Sequence, residues 1–121
     1  LGMRVLIIGA SRNPERYSHL AMKRLETAGH EVVLYNPGID DIEGRPVVRD
    51  LAQVSGPVDT VTLYTSPAHL EPLVDRIIAL SPRRIIANPG TETDFIPAKA
   101  EAAGIEYREA CTLVLLSTGQ F

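Results

Sequence analysis

Hydrophobic and polar positions along this chain follow two alternating patterns, one suited to buried strands and one to one-sided helices. Met3 to Ile8 (MRVLII) is a near-continuous apolar run closed by Gly9, as expected for a strand covered on both faces. Ser18 can cap a helix running to about Ala28, with Leu20, Ala21, Leu25 and Ala28 on one side and Gly29 as a left-handed stop. Glu31 to Tyr35 (EVVLY) predicts a second strand, ended by the turn residues Asn36-Pro37-Gly38. From Ile39 to Pro57 the pattern is least regular. Gly44-Arg45-Pro46 followed by Val47-Val48 suggests a short edge strand, where proline is tolerated, and Asp50 can cap a short helix through Val54.

Thr60 to Tyr64 (TVTLY) predicts a central strand rich in β-branched residues. Ser66-Pro67 then pairs a cap with proline at the first helical position. Leu70, Leu73, Val74, Ile77 and Ile78 follow at the spacing of an amphipathic helix, the clearest in the chain. Arg84 to Ala87 (RIIA) predicts a further strand, broken at Asn88-Pro89-Gly90. Thr93 or Asp94 caps an alanine-rich helix stopping at Gly104, and Ile105 to Arg108 closes the series as the last strand. Thr112 to Ser117 (TLVLLS) fits a strand or a short helix equally.

Strands alternating with helices imply right-handed crossovers and a mostly parallel, doubly wound α/β sheet in three layers. The expected strand order is 3-2-1-4-5-6, with a ligand at the carboxyl ends near the point where the order reverses. Residues 3–121 read as one domain; Leu1 and Gly2 precede Met3 and read as a cloning remnant. At 121 residues and 45% hydrophobic content, such a domain can bury a core without disulfides or metal.

Charge and cysteine content narrow the function. The formal charge is −3, from 12 basic and 15 acidic residues, and Trp is absent, which argues against a nucleic-acid surface. No apolar stretch reaches the ~20 residues of a membrane span, and no secretory leader is evident. Cys111 is the only cysteine, which fits a reducing, cytoplasmic setting. His19, His30 and His69 show no metal-ligand spacing and read as surface or helix decoration, so neither a metal site nor a catalytic residue is assigned.

The first strand-to-helix turn, Gly9-Ala10-Ser11-Arg12-Asn13-Pro14-Glu15-Arg16-Tyr17-Ser18, carries the candidate chemistry. Glycine after a buried strand permits a sharp bend, small residues let main-chain N–H groups approach a ligand, and a helix N-terminus favours an anion. Ser11 and Ser18 add hydroxyl donors, and Arg12 and Arg16 add guanidinium groups suited to phosphate. A dinucleotide fingerprint would place glycine at three positions and an acid at the end of the second strand. Here those positions hold Gly9, Ser11 and Pro14, and the strand ends in Asn36. A ligand phosphate near the ribose would meet no carboxylate there.

Ile8-Gly9-Ala10-Ser11, Pro14, Arg16 and Ser18, followed by Asn36-Pro37, Ile42-x-Gly44 and Val58-Asp59 before a strand, resemble the small CoA-binding-domain family. That family is similar to the nucleotide-binding domain of the succinyl-CoA synthetase α subunit. The resemblance spans Met3 to about Cys111. It implies that Gly9, Ala10, Ser11, Arg16 and Ser18 surround the phosphates of coenzyme A or an acyl-CoA. It also implies that Asn36-Pro37 and Tyr64-Thr65-Ser66-Pro67 flank the adenosine end and the pantetheine path. The second turn, Asn88-Pro89-Gly90-Thr91-Glu92, reads either as a contact with the pantetheine arm or an acyl group or as a plain turn. Cys111 reads either as a small buried hydrophobe or as a partner for the CoA thiol.

The ligases it resembles carry their phosphorylated histidine in a further domain that this chain does not contain. The expectation is therefore a binding module without its own chemistry, such as a CoA sensor or carrier. The alternatives are an NAD(P)- or adenine-nucleotide-binding redox sensor and the CoA-binding half of a split acyl-CoA ligase that works with a partner subunit. A small homo-oligomer also fits, because the hydrophobic stretch from Thr112 to Phe121 needs cover.

Overall fold

The computed structural model describes residues 2–121. The apolar run at the amino end forms β1 (Arg4–Ile8), buried through four of its five residues. Helix α1 (Tyr17–Thr27) follows and leads into β2 (Glu31–Tyr35), which lies parallel to β1 with Val5 beside Val32 and Ile8 beside Tyr35. A short hairpin of β3 (Asp41–Ile42) and β4 (Arg45–Val48) comes next, then a 3-10 turn at Leu51–Gln53 that Asp50 caps by accepting from the Ala52 N–H. Strand β5 (Thr60–Leu63) pairs with the other side of β1. Helices α2 (Pro67–Leu70) and α3 (Val74–Ala79), strand β6 (Arg84–Ala87), helix α4 (Phe95–Ala102), strand β7 (Glu106–Glu109) and helix α5 (Thr112–Ser117) complete the series.

The sheet has seven strands in the order β3-β4-β2-β1-β5-β6-β7. Without β3 this is the predicted 3-2-1-4-5-6 arrangement, all parallel. The addition is β3, two residues long and antiparallel to β4 at one rim. Glu43 and Gly44 join the two strands with positive φ (54° and 83°), the backbone of a two-residue hairpin turn whose twist matches the strands. At the other rim β7 carries the sequence Glu-Tyr-Arg-Glu, mostly exposed.

Alternation along β1 divides the core into two layers. Leu6 and Ile8 join Val61, Leu63, Leu70, Ile77, Ile85 and Ile96 on the face covered by α2, α3 and α4. Val5 and Ile7 join Ala21, Met22, Leu25 and Leu34 on the face covered by α1, with Leu113 and Leu116 of α5 packed beside them. Three layers therefore enclose a central strand with no wet face, which explains why β1 reads as an uninterrupted apolar run.

Two helical expectations are corrected, and one open alternative is decided. The helix drawn through Leu70 to Ile78 is broken into α2, a 3-10 turn at Glu71–Leu73, and α3. Pro72 is the cause, because its nitrogen cannot donate to a carbonyl four residues back and its ring collides there. The apolar spacing survives the break, and Leu70, Val74 and Ile77 are all buried. Helix α1 begins at Tyr17 with Arg16 at the cap; Ser18 is buried inside its first turn and caps nothing. Thr112 to Ser117 is helical, with the Thr112 side chain fully buried.

At the amino ends of the strands, Arg83 holds Asp59 through Nε and Nη2 at 3.0 and 3.1 Å. These hydrogen bonds keep the Asp59 carboxyl below its ordinary value, against the opposing effect of burial. A carboxyl lowered in the folded state contributes stability above its unfolded pKa and loses it as pH falls through the folded value. Urea unfolding at neutral pH and near pH 3 should therefore show Asp59→Asn losing less stability on acidification than the wild type; equal losses would dismiss the pair. In the core, Ile77→Ala should cost about 2–5 kcal/mol with an unchanged denaturant slope.

Candidate functional site

The carboxyl end of β1 bends at Gly9, whose φ is +95°. A Cβ there would also sit 2.8 Å from the Tyr64 carbonyl oxygen, so both the turn and the close approach of the chain after β5 require glycine. The N–H groups of Gly9 and Ala10 both donate to the Tyr35 carbonyl at 3.1 Å. They are thus spent on closing β1 against β2, and the expectation that they face a ligand is corrected. The N–H groups of Ser11, Tyr17 and Ser18 have no protein acceptor among the described residues. The Ser11 hydroxyl accepts from the Asn13 N–H at 3.1 Å and shapes the loop.

Two polar side chains, the partly buried Asn36 and the buried His19, fix this bend. The Asn36 amide nitrogen donates to the Ala10 carbonyl (2.7 Å), and its oxygen accepts from the Gly38 N–H (2.8 Å). The His19 Nδ1–H donates to the Ser11 carbonyl (2.7 Å), and its Nε2 lies 3.1 Å from Glu43 at the hairpin tip. His19 is only 3% exposed, so it is a core residue that ties the bend to the β3–β4 hairpin and not surface decoration. Lys23 and Arg45 also reach Glu43, and Arg45 makes a two-pronged pair with Glu26 at 2.7 Å.

These strand ends open on one continuous cleft with two halves. The polar half, about 440 Å³, is lined by Gly9, Ala10, Ser11, Arg16, Tyr17, Ser18, Asn36, Tyr64, Thr65, Pro89 and Thr91. The more apolar half, about 400 Å³, is lined by Ile8, Tyr35, Pro37, Ala68, His69, Pro72 and Leu73, and it shares Gly9, Asn36 and Thr65 with the first. Arg16 is exposed and makes no ion pair among the described residues, so its guanidinium faces the polar half uncommitted. Ser66 accepts or donates at 2.7 Å with His69 Nδ1 and so orients that ring at the apolar wall.

Ten of the residues singled out from sequence come together here: Gly9, Ala10, Ser11, Arg16, Ser18, Asn36, Pro37, Tyr64, Thr65 and Pro89. Six do not line the cleft. Arg12 turns away, donating to the Asp41 carbonyl at 2.8 Å with Asp40 3.7 Å off. Pro14 and Gly90 are exposed outside it, and Ser66 stands behind His69. Pro67 lines a separate groove with Glu92 to Phe95 and Glu109. Asn88 is buried beneath the floor, donating to Thr62 Oγ1 (2.7 Å) and the Leu63 carbonyl (2.8 Å) and accepting from the Thr112 N–H (2.8 Å).

Sequence reasoning missed Tyr17, Tyr35, Ala68, His69, Pro72 and Leu73, whereas Thr91 lies in the second turn it named. Of this wall only Leu73 falls on the inward face of the single helix that the spacing predicts, while Ala68, His69 and Pro72 carry no apolar period. Pro72 was the available signal. Thr91 is held by its N–H and hydroxyl on the Asn88 carbonyl, at 3.0 and 2.8 Å. Burial pushes the Tyr64 phenol up to about 12, while Thr112 and Thr62 pull it partly back. Its hydroxyl is enclosed beside that threonine pair without a hydrogen bond of good geometry.

A parallel sheet with a bend fixed at β1 and a two-part cleft at the strand ends defines a Rossmann-like α/β ligand-binding domain. Residues 3–117 match the family model described as CoA binding domain, and the chain belongs to that family. The resemblance drawn from the motifs therefore holds. A crystal structure of an uncharacterized protein is 36% identical, covering 100% of this chain and 99% of that one with a TM-score of 0.93. The uncharacterized protein YneT of Bacillus subtilis is 31% identical over 75 residues, 62% of this chain and 56% of that protein. A dinucleotide-forming acetyl-coenzyme A synthetase 1 from Candidatus Korarchaeum cryptofilum, solved with phosphate and ADP, shares the fold. It is 15% identical, covering 87% of this chain and 25% of that one with a TM-score of 0.74.

Asn36→Asp would set a carboxylate oxygen against the Ala10 carbonyl in place of the present donor. It should lower the melting temperature and weaken ligands with and without a ribose phosphate alike; a wild-type melting curve would dismiss the positioning role. Gly9→Ala should destabilise by at least ~1 kcal/mol, read by chemical denaturation, from the positive φ and the contact with Tyr64.

Proposed function

We propose that this chain binds coenzyme A or an acyl-CoA in the two-part cleft and catalyses no reaction by itself. The observation that carries the proposal is the division of the cleft. The polar half offers the uncommitted Arg16, the free N–H groups of Ser11, Tyr17 and Ser18, and the amino end of α1, a combination suited to a pyrophosphate. The apolar half offers Tyr35, Pro37, Pro72, Leu73 and the edge of His69, which suit a flat base. On this reading Gly9, Ala10, Ser11, Arg16 and Ser18 surround the phosphates, with Gly9 and Ala10 giving shape and not donors. Asn36 and Pro37 flank the adenosine, and Tyr64, Thr65, Pro89 and Thr91 line the route of the pantetheine arm.

Membership in the CoA binding domain family supports the ligand class. Among the described residues, no helix is long and apolar enough to cross a membrane. The single cysteine favours work in the cytoplasm.

A second reading, in which the chain supplies the CoA-binding part of a split acyl-CoA ligase, is favoured by one comparison: the synthetase that shares the fold is about four times longer than the stretch it shares.

Melting shifts with CoA, acetyl-CoA, NAD, NADP and ATP test the proposal. A ligand at about 100 times its dissociation constant should stabilise by about 2.7 kcal/mol. CoA or acetyl-CoA should shift the curve and NAD should not; a shift with NAD alone would replace this reading with a redox sensor. Arg16→Ala should weaken CoA about tenfold and flatten its salt dependence, as expected for loss of one charge-assisted phosphate contact.

A further inference from the structure

In a doubly wound sheet the residue ending the second strand decides what the ligand's ribose can carry: an acid there holds free hydroxyls, whereas an arginine nearby accommodates a ribose phosphate. Here that position is Asn36, and each end of its amide makes one bond to backbone, the nitrogen to Ala10 and the oxygen from Gly38. Asn36 is thereby held as part of the wall and carries no charge to meet a phosphate.

The neighbouring strand supplies what Asn36 lacks. Tyr35 pairs with Val48 in the parallel register of β2 and β4, and the Asn36 N–H donates to the Val48 carbonyl at 3.1 Å. Arg49, the next residue, thereby leaves β4 beside the Asn36-Pro37 turn. Its Nε donates to the carbonyl of Pro37, itself a cleft residue, at 3.2 Å. That bond fixes the root of the guanidinium and leaves both terminal nitrogens without a protein partner among the described residues. Four other arginines are held by carboxylates: Arg4 by Glu31, Arg12 near Asp40, Arg45 by Glu26 and Glu43, and Arg83 by Asp59. The nearest carboxylate in sequence, Asp50, is engaged as the cap of the following 3-10 turn. Arg16 lines the polar half, and Arg49 adjoins the apolar half through its bond to the Pro37 carbonyl; neither makes an ion pair among the described residues.

We propose that Arg49 reads a phosphate monoester on the ribose of an adenosine ligand, separately from the pyrophosphate that Arg16 meets. The inference rests on the reading of the cleft as a nucleotide-cofactor site. Its fork is suited to a terminal phosphate, which presents several oxygens to two N–H groups at once. Two sources carry that chemistry, the 3′-phosphate of CoA and the 2′-phosphate of NADP, and paired ligands separate them.

Titration calorimetry with CoA against 3′-dephospho-CoA, and NADP against NAD, would be run on the wild type, Arg49→Ala and Arg49→Lys. The wild type should prefer the phosphorylated member of one pair by about tenfold or more. Arg49→Ala should bring that ratio close to one while leaving the dephosphorylated ligand unchanged, and Arg49→Lys should keep part of the preference. A preference that survives Arg49→Ala, or an equal loss for both members of the pair, overturns the inference while leaving the cofactor site standing. An Arg49-dependent preference within the NADP pair, with CoA inert, supports the ribose-phosphate reader and removes the CoA proposal. Binding of none of the four by the wild type removes both.

Discussion

The close passage of two backbones at the end of β1 governs the site. Gly9 lies so near the Tyr64 carbonyl that any side chain would collide, and the same residue turns through a positive φ. On its other side the Gly9 and Ala10 N–H groups share the Tyr35 carbonyl. Three strand ends are therefore clamped at one point, and the cleft forms around that point because the loops leaving it must diverge. Asn36 and His19 then brace the diverging loop from two directions, one through Ala10 and the other through Ser11. The bend is held by the protein itself, so a ligand meets groups already in position and loses little free energy to ordering them.

Much of the fold could be read in advance because β1, β5 and β6 are covered on both faces, and continuous burial leaves a plain apolar signature. The register of Val5, Ile7 against Leu6, Ile8 then follows from alternation alone. Where the reading went astray, a local backbone rule competed with spacing. Leu70, Val74 and Ile77 keep the helical period through a segment that Pro72 does not allow to be one helix. Ser18 has the chemistry of a cap but lies two residues too deep, and Arg16 takes the position instead.

The candidate site was legible to a different degree. Residues whose backbone makes the bend were found, because glycine and small side chains mark it. Residues whose role depends on where a side chain ends up were not. Arg12 and Arg16 look alike in sequence, yet Arg12 is drawn off to the hairpin by the Asp41 carbonyl while Arg16 stays at the cleft. Asn88 sits in a turn-forming triplet, but its amide is consumed by Thr62, Leu63 and Thr112 below the floor. His19 gave no signal at all, since only the hairpin tip brings Glu43 within its reach.

The hairpin at the rim has a consequence for how the molecule behaves in crowded company. A parallel sheet that ended at β4 would present a row of unpaired amides and carbonyls to any passing extended chain. With β3 folded back over it for two residues, and Glu43 gripped by His19, Lys23 and Arg45, that docking edge is short and held down. At the far rim the alternating charges of β7 discourage the same kind of trespass. The flanks of the sheet thus offer little free edge for templated strand pairing, while the cleft at the strand ends stays open.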